Sequence, residues 1–145
     1  MDEDTDLKMA IYRHFAETTK APSVFDMANA IGKREKEVFE GFKRLADKRV
    51  LVLDTDEESI RMAPPFSGIP TQHRVRVKDK EYFANCAWDA LGIPAALHSD
   101  AEIFSRCEQS KQPLHIVVEG RPFPVPCVIH FAVPAAQWWD DIVYT

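Results

Sequence analysis

Three cysteines, with no Cys-x-x-Cys pair among them, do not make a disulfide framework. No stretch of the 145 residues approaches the run of about 18 apolar residues that a membrane span needs. A basic start is missing too. Asp2, Glu3, Asp4 and Asp6 are the opposite of what secretory and transit peptides require. Nor is there an excess of positive charge: 18 basic against 23 acidic side chains leave a net charge of −5. That argues against a nucleic-acid binder relying on bulk charge. A reduced, cytoplasmic protein is the expectation. The length suits one ordinary domain or two small ones, and a chain of this size buries roughly 68–70% of its unfolded surface without staples.

What is present begins with three helical signals. Asp6 can cap a first helix whose apolar side runs Leu7, Ile11, Phe15. Ser23 with Asp26 forms a capping-box pattern before Val24, Met27, Ala28 and Ile31, spaced i, i+3, i+4, i+7, and Gly32 stands where that helix should stop. A third helix, about Arg34 to Lys48, carries Val38, Phe39, Phe42, Leu45 and Ala46 on one stripe. Two short strands, Val50 to Leu53 and Ile60 to Met62, come after it. This is the order of a winged helix-turn-helix, whose third helix reads DNA. Here, however, Arg34, Lys36, Lys43, Arg44 and Lys48 alternate with Glu35, Glu37, Glu40 and Asp47. A charge-balanced helix supplies little net phosphate attraction, so a packing module is the favoured reading over a DNA contact.

Residues 63–70, with three prolines and a glycine, exclude a helix or a central strand and are read as a boundary. Beyond it, His73 to Val77 alternates like a half-exposed strand and Glu81 to Phe83 returns as its hairpin partner. A short helix over Cys86 to Leu91 is expected to end at Gly92 and Pro94. Residues 99–108 read as helical or irregular, Leu114 to Val118 and Val128 to Val133 as strands, and Trp138 to Thr145 as the start of another strand. The expected fold is α+β: a winged-helix-like three-helix module over residues 1–66, then a small mixed domain over residues 67–145 with antiparallel strands around a short Cys-bearing helix.

The chemistry is expected on that helix. Asn85 is a good N-cap, placing Cys86 in the first turn, where backbone amides and the helix dipole favour a thiolate and lower its pKa. Asp89, three residues on, shares a face with Cys86, and Trp88 on the other side would anchor the helix in the core. A soft sulfur beside a carboxyl group suits soft-metal binding followed by proton transfer. A lone cysteine in an apolar stretch is also a common packing residue.

The stretch Asn85-Cys86-Ala87-Trp88-Asp89-Ala90-Leu91-Gly92-Ile93-Pro94-Ala95 resembles the active-site segment of alkylmercury lyases, the organomercurial lyases of bacterial mercury resistance. The strand pair before it and Cys107 after it agree with that family. The resemblance implies protonolysis of a carbon–mercury bond. Cys86 would take up the organomercurial and Asp89 would deliver the proton, both lying against the metal, to give a hydrocarbon and Hg(II). It implies no organic cofactor and no resting metal, with Hg(II) entering only as substrate and product metal. Implied partners are the organomercurial itself and low-molecular-weight thiols or mercuric reductase as acceptors of the product. It also implies a second catalytic cysteine, which would fall at or just past Thr145, so a fragment or a shortened relative is expected. The alternative is a non-catalytic thiol-based mercury binder or sensor whose N-terminal module contacts DNA or a protein.

Other candidates read as structural. Cys107 matches a structural position of the family, and Cys127, beside Pro126, is expected in a strand. The five histidines (His14, His73, His98, His115, His130) show no metal-ligand spacing, and two of them, His115 and His130, are expected on neighbouring strands, too few for a zinc site. Trp138 and Trp139 are expected to cover the core, with Asp140 and Asp141 solvated.

Overall fold

A computed structural model describes residues 2–122, 124–125 and 127–143. Helix α1 spans Glu3–Thr18. It starts before Asp6, because Asp2 takes the N-cap position and accepts the Asp4 amide at 2.9 Å. Three early acids lie in its first turn, where the helix dipole favours negative charge. Helix α2 spans Val24–Ile31 with the reciprocal Ser23–Asp26 box formed, at 3.0 and 2.8 Å. Gly32 closes it at φ +67°, a left-handed conformation that glycine adopts without strain. Helix α3 spans Glu35–Asp47 and buries Val38, Gly41, Phe42 and Leu45. Most of the expected stripe residues are buried, while Ile31, Phe39 and Ala46 are only half-buried.

Strands β1 (Val52–Leu53), β2 (Ile60–Ala63) and β3 (Phe66–Ser67) form a small antiparallel sheet in that order. The proline-rich boundary segment thus contributes an edge strand. Pro64–Pro65 is a cis peptide bond in the tight link between β2 and β3. Phe66 is buried and its ring lies among those of Tyr12, Phe15 and Tyr82, so this segment joins the helices to the C-terminal half of the chain.

The second sheet has five antiparallel strands in the order β5-β4-β6-β7-β8, formed by β4 (Arg74–Val77), β5 (Lys80–Phe83), β6 (Ala101–Arg106), β7 (Pro113–Glu119) and β8 (Arg121–Pro122). A bridge between Phe66 and Ala84 links the two sheets. Helix α4 (Ala87–Leu97) packs against β4 and β6 through buried Ala90, Ile93 and Pro94. One core cluster runs from Leu7 to Val118. No helix among the described residues is long and apolar enough to cross a membrane.

Several expectations are corrected. Residues 101–106, read as helical or irregular, form a central strand. Its inward positions are Ala101, Ile103 and Ser105, while Phe104 faces out, so burial alternates but hydrophobicity does not. Phe104 is covered instead by Arg74 and Arg76, each with its guanidinium 5.3 Å from the ring centroid, and by His115 stacked at 4.8 Å. Helix α4 does not stop at Gly92 and Pro94 but runs to Leu97. Gly92 lies so close to Pro65 that an added Cβ would come within 3.1 Å of the Pro65 Cβ. The glycine therefore serves close packing rather than termination.

The described part of 128–133 forms no strand, so His130 and Cys127 are exposed outside the sheet. At 135–140 a 3₁₀ helix (Ala135–Asp140) replaces the strand expected from Trp138. Tyr144 and Thr145, the end of that expected strand, lie outside the described residues.

Candidate active site

The loop leaving β5 delivers Asn85 and Cys86 to the start of α4. Cys86, rather than Asn85, is the N-cap: its backbone is extended, and its sulfur accepts the Asp89 amide at 3.4 Å. The expected pairing of Cys86 with Asp89 on one helical turn is therefore present, but shifted by one residue in its capping role. Both side chains are half-buried.

Burial dominates the electrostatics. The Cys86 thiol is pushed up, first by burial and then by the Asp89 charge, against the opposing pull of the Asp89 and Trp88 amides. The lowered thiol pKa expected from a helix N-terminus is thus overturned, because desolvation of a thiolate outweighs two amide dipoles. Asp89 is also raised, by burial, with the Asn85 hydrogen bond acting the other way. A carboxyl group displaced in that direction keeps its proton closer to neutral pH, which suits a proton donor.

The polar contacts around this pair have no signal in the local sequence pattern. The Asn85 amide nitrogen donates to Asp89 Oδ2 and to the Phe66 carbonyl, each at 3.0 Å. Tyr12, from α1, donates its hydroxyl to the Pro64 carbonyl at 2.8 Å. Its phenol is raised by burial and by the charge of Asp89, so the N-terminal helices border the site. The carbonyls of Pro64 and Phe66 come from the segment read as a boundary. Tyr12 sits beside buried Ile11 on α1, and nothing in helical spacing marks its hydroxyl as part of a site.

Trp88 does not anchor the core. It is 58% exposed and meets Phe131 edge-on at 6.3 Å, and Phe131 in turn lies 4.9 Å from Trp138. Trp139 stands apart, under the Arg49 guanidinium at 5.6 Å. Cys107 follows β6 in a tight turn where hydrogen bonds from Ser110 and Gln109 hold its thiol below the ordinary value. His115 bonds Glu102 at 2.9 Å on the exposed face of the sheet. Among the described residues no three His, Cys, Asp or Glu side chains gather as ligands for one ion; Cys86 and Asp89 stand as a pair.

Three cations in and beside α3 are paired within the protein. Asp4 of α1 accepts from Arg44 at 2.9 Å and Lys48 at 2.7 Å, and Arg34 pairs with Glu37 at 3.2 Å. Cations neutralised within the protein add little to phosphate attraction.

Comparison with known proteins bears on the family. An alkylmercury lyase of Bacillus cereus is 30% identical over 97 residues, covering 67% of this chain and 42% of the relative. One of Staphylococcus epidermidis is 29% identical over 96 residues, covering 66% and 42%. The chain thus spans about two fifths of the length of these curated relatives. The fold matches a crystal structure of the mercury-bound form of MerB2 with a TM-score of 0.69 and 26% identity, over 86% of this chain and 60% of that one. Residues 66–145, which hold both Cys86 and Asp89, match the family described as MerB, alkylmercury lyase, and with more than half its length in that match the chain belongs to the alkylmercury lyase family.

Proposed function

We propose that this chain cleaves carbon–mercury bonds by protonolysis, with Cys86 as the mercury ligand and Asp89 as the proton donor. The observation that carries this reading is the Cys86–Asp89 turn itself: the Asp89 amide on the Cys86 sulfur at 3.4 Å, with a carboxyl group that burial keeps closer to protonated.

The substrate arrives as R–Hg–X, X being a thiolate. The Cys86 sulfur displaces X from the soft metal, and the thiol proton leaves with X as the free thiol. Mercury is then R–Hg–Sγ. Asp89 gives its proton to the carbon of R, and the electron pair of the carbon–mercury bond becomes the new carbon–hydrogen bond. The hydrocarbon departs, leaving Hg(II) on Cys86 beside the new Asp89 carboxylate. A raised carboxyl pKa favours the transfer, since the acid holds its proton to higher pH than an ordinary carboxyl group and the charge it acquires is balanced by the adjacent metal. Low-molecular-weight thiols of a reducing cytoplasm, or a mercuric reductase, then take the ion, and the overall role is organomercurial detoxification.

Phenylmercury acetate with excess thiol tests the proposal. The 145-residue chain should release benzene. Cys86→Ser should release no benzene and retain one equivalent of mercury less than the unaltered chain, and Asp89→Asn should retain phenylmercury without releasing benzene. Mercury held one-to-one by the unaltered chain with no benzene formed would overturn the catalytic reading in favour of a thiol-based binder.

A further inference from the structure

Asn85 stands directly before Cys86 yet does not cap the helix, since Cys86 itself fills that position. Its side chain is committed elsewhere. The amide nitrogen reaches Asp89 Oδ2 and the Phe66 carbonyl, both at 3.0 Å. Both partners only accept, so both amide hydrogens are used and the orientation of the group is fixed by its neighbours. Its Oδ1 is buried with no partner among the described residues. Its nitrogen, in contrast, lies between the carboxyl group and a rigid point of the fold. Phe66 is 3% exposed, paired to Ala63 of β2 and bridged to Ala84, with its ring stacked on Phe15.

We infer that Asn85 is a positioning residue for Asp89, fixing the carboxyl group against β3 so that Oδ1 is the oxygen that carries the proton. The inference rests on the proposed protonolysis. An oxygen already accepting an N–H bond is the one that stays unprotonated in the neutral acid, so the proton resides on Oδ1. When it passes to carbon, the electron pair of the carbon–mercury bond forms the carbon–hydrogen bond. The negative charge left on the carboxylate spreads to Oδ2, where the Asn85 N–H bond strengthens as the charge appears. Asn85 therefore acts through Asp89 and touches neither the metal nor the departing group.

Two measurements on the full chain test this. In the first, Asn85→Ala should lower kcat for benzene release from phenylmercury by roughly 10- to 100-fold, the scale of a small misplacement of a catalytic group, while KM and one-to-one uptake of phenylmercury stay unchanged. A change confined to KM, or an unaltered kcat, would overturn the inference. The second leaves Asn85 in place. In ¹⁵N-labelled protein the Asn85 side-chain amide signals should shift and exchange faster with solvent when Asp89 is replaced (Asp89→Ala). Signals unmoved by that replacement would show a tie to Phe66 alone and overturn the inference. The amide measurement needs no turnover. A chain that released no benzene would thus refute the proposed function, while the pairing would still be decided by the amide signals.

Discussion

The ring of Phe66 lies nearly flat on that of Phe15, with centroids 5.2 Å apart and planes 8° from parallel. This contact joins α1 to β3 directly beneath the carbonyl that Asn85 grasps. Phe66 also meets Tyr12 and Tyr82 and is buried among them. Phe66→Ala should therefore cost about 3–5 kcal/mol, the range for deleting a buried aromatic ring. Chemical denaturation followed by tryptophan fluorescence and by circular dichroism checks it. A loss below about 1 kcal/mol would mean that the helices and the sheets do not share a core at this point.

Asp89 should trade stability for its role. Its folded-state pKa is raised by burial, so its contribution to stability is full below the unfolded carboxylate value and is lost as the pH rises through the folded one. Once ionised, the carboxylate carries a desolvation cost that an amide would not have. Asp89→Asn should melt higher than the unaltered chain at pH 7, and the gap should close at about pH 3, below the unfolded carboxylate value, where both states hold the proton. Thermal melts at the two pH values decide it, and an equal difference at both would contradict the burial argument.

The first half of the fold was legible because its stripes, caps and stops are local. Leu7, Ile11 and Phe15 on α1, the Ser23–Asp26 box and Gly32 all act within a helical turn or two. The α1 cap is the local exception, Asp2 rather than Asp6; the errors at β6 and α4 fell where tertiary contacts override local pattern. Phe104 faces outward and Ser105 inward on β6, because Arg74, Arg76 and His115 cover the ring and His73 receives the serine. Pro94 stays within α4 because its face is buried. At the site, the residue types and the spacing of Cys86 and Asp89 could be read. The direction of the thiol shift could not, since it depends on how deeply the turn is buried. Asn85 was noticed for its capping preference, while its bond to Asp89 depends on β3 passing close by, a contact between residues 66 and 85 that no local pattern records.

His73 makes acid sensitivity measurable. The ring is buried, its Nδ1 lies 2.7 Å from Ser105 Oγ, and burial lowers its pKa, opposed by the charge of Glu108. The folded state thus prefers the neutral ring. Its contribution to stability is present above the unfolded histidine value, near 6.5, and is lost as the pH falls from there toward the lower folded value. Melting temperature should fall between pH 7 and pH 5, and His73→Gln should flatten that fall while lowering stability at pH 7. A fall of the same size in both proteins would assign the effect to other groups.

Two glycines separate strain from steric clash. Gly32 sits at φ +67°, and an added Cβ there would meet nothing within 4 Å, so Gly32→Ala should cost only the left-handed penalty of roughly 1–2 kcal/mol. An added Cβ on Gly68 would come within 2.0 Å of the Ile60 carbonyl oxygen, while the Gly68 amide bonds the Arg61 carbonyl at 2.8 Å. The nearest atoms are all backbone of Ile60 and Arg61, which leaves no flexible side chain to yield. Gly68→Ala should prise β3 from β2 and cost more than Gly32→Ala, at or above the roughly 1–3 kcal/mol typical of overpacking. Because β3 carries the Phe66 carbonyl, the Asn85 amide signals should shift in Gly68→Ala and stay put in Gly32→Ala. Urea denaturation and the amide spectrum of both variants check the pair, and equal losses of stability would refute the steric account of Gly68.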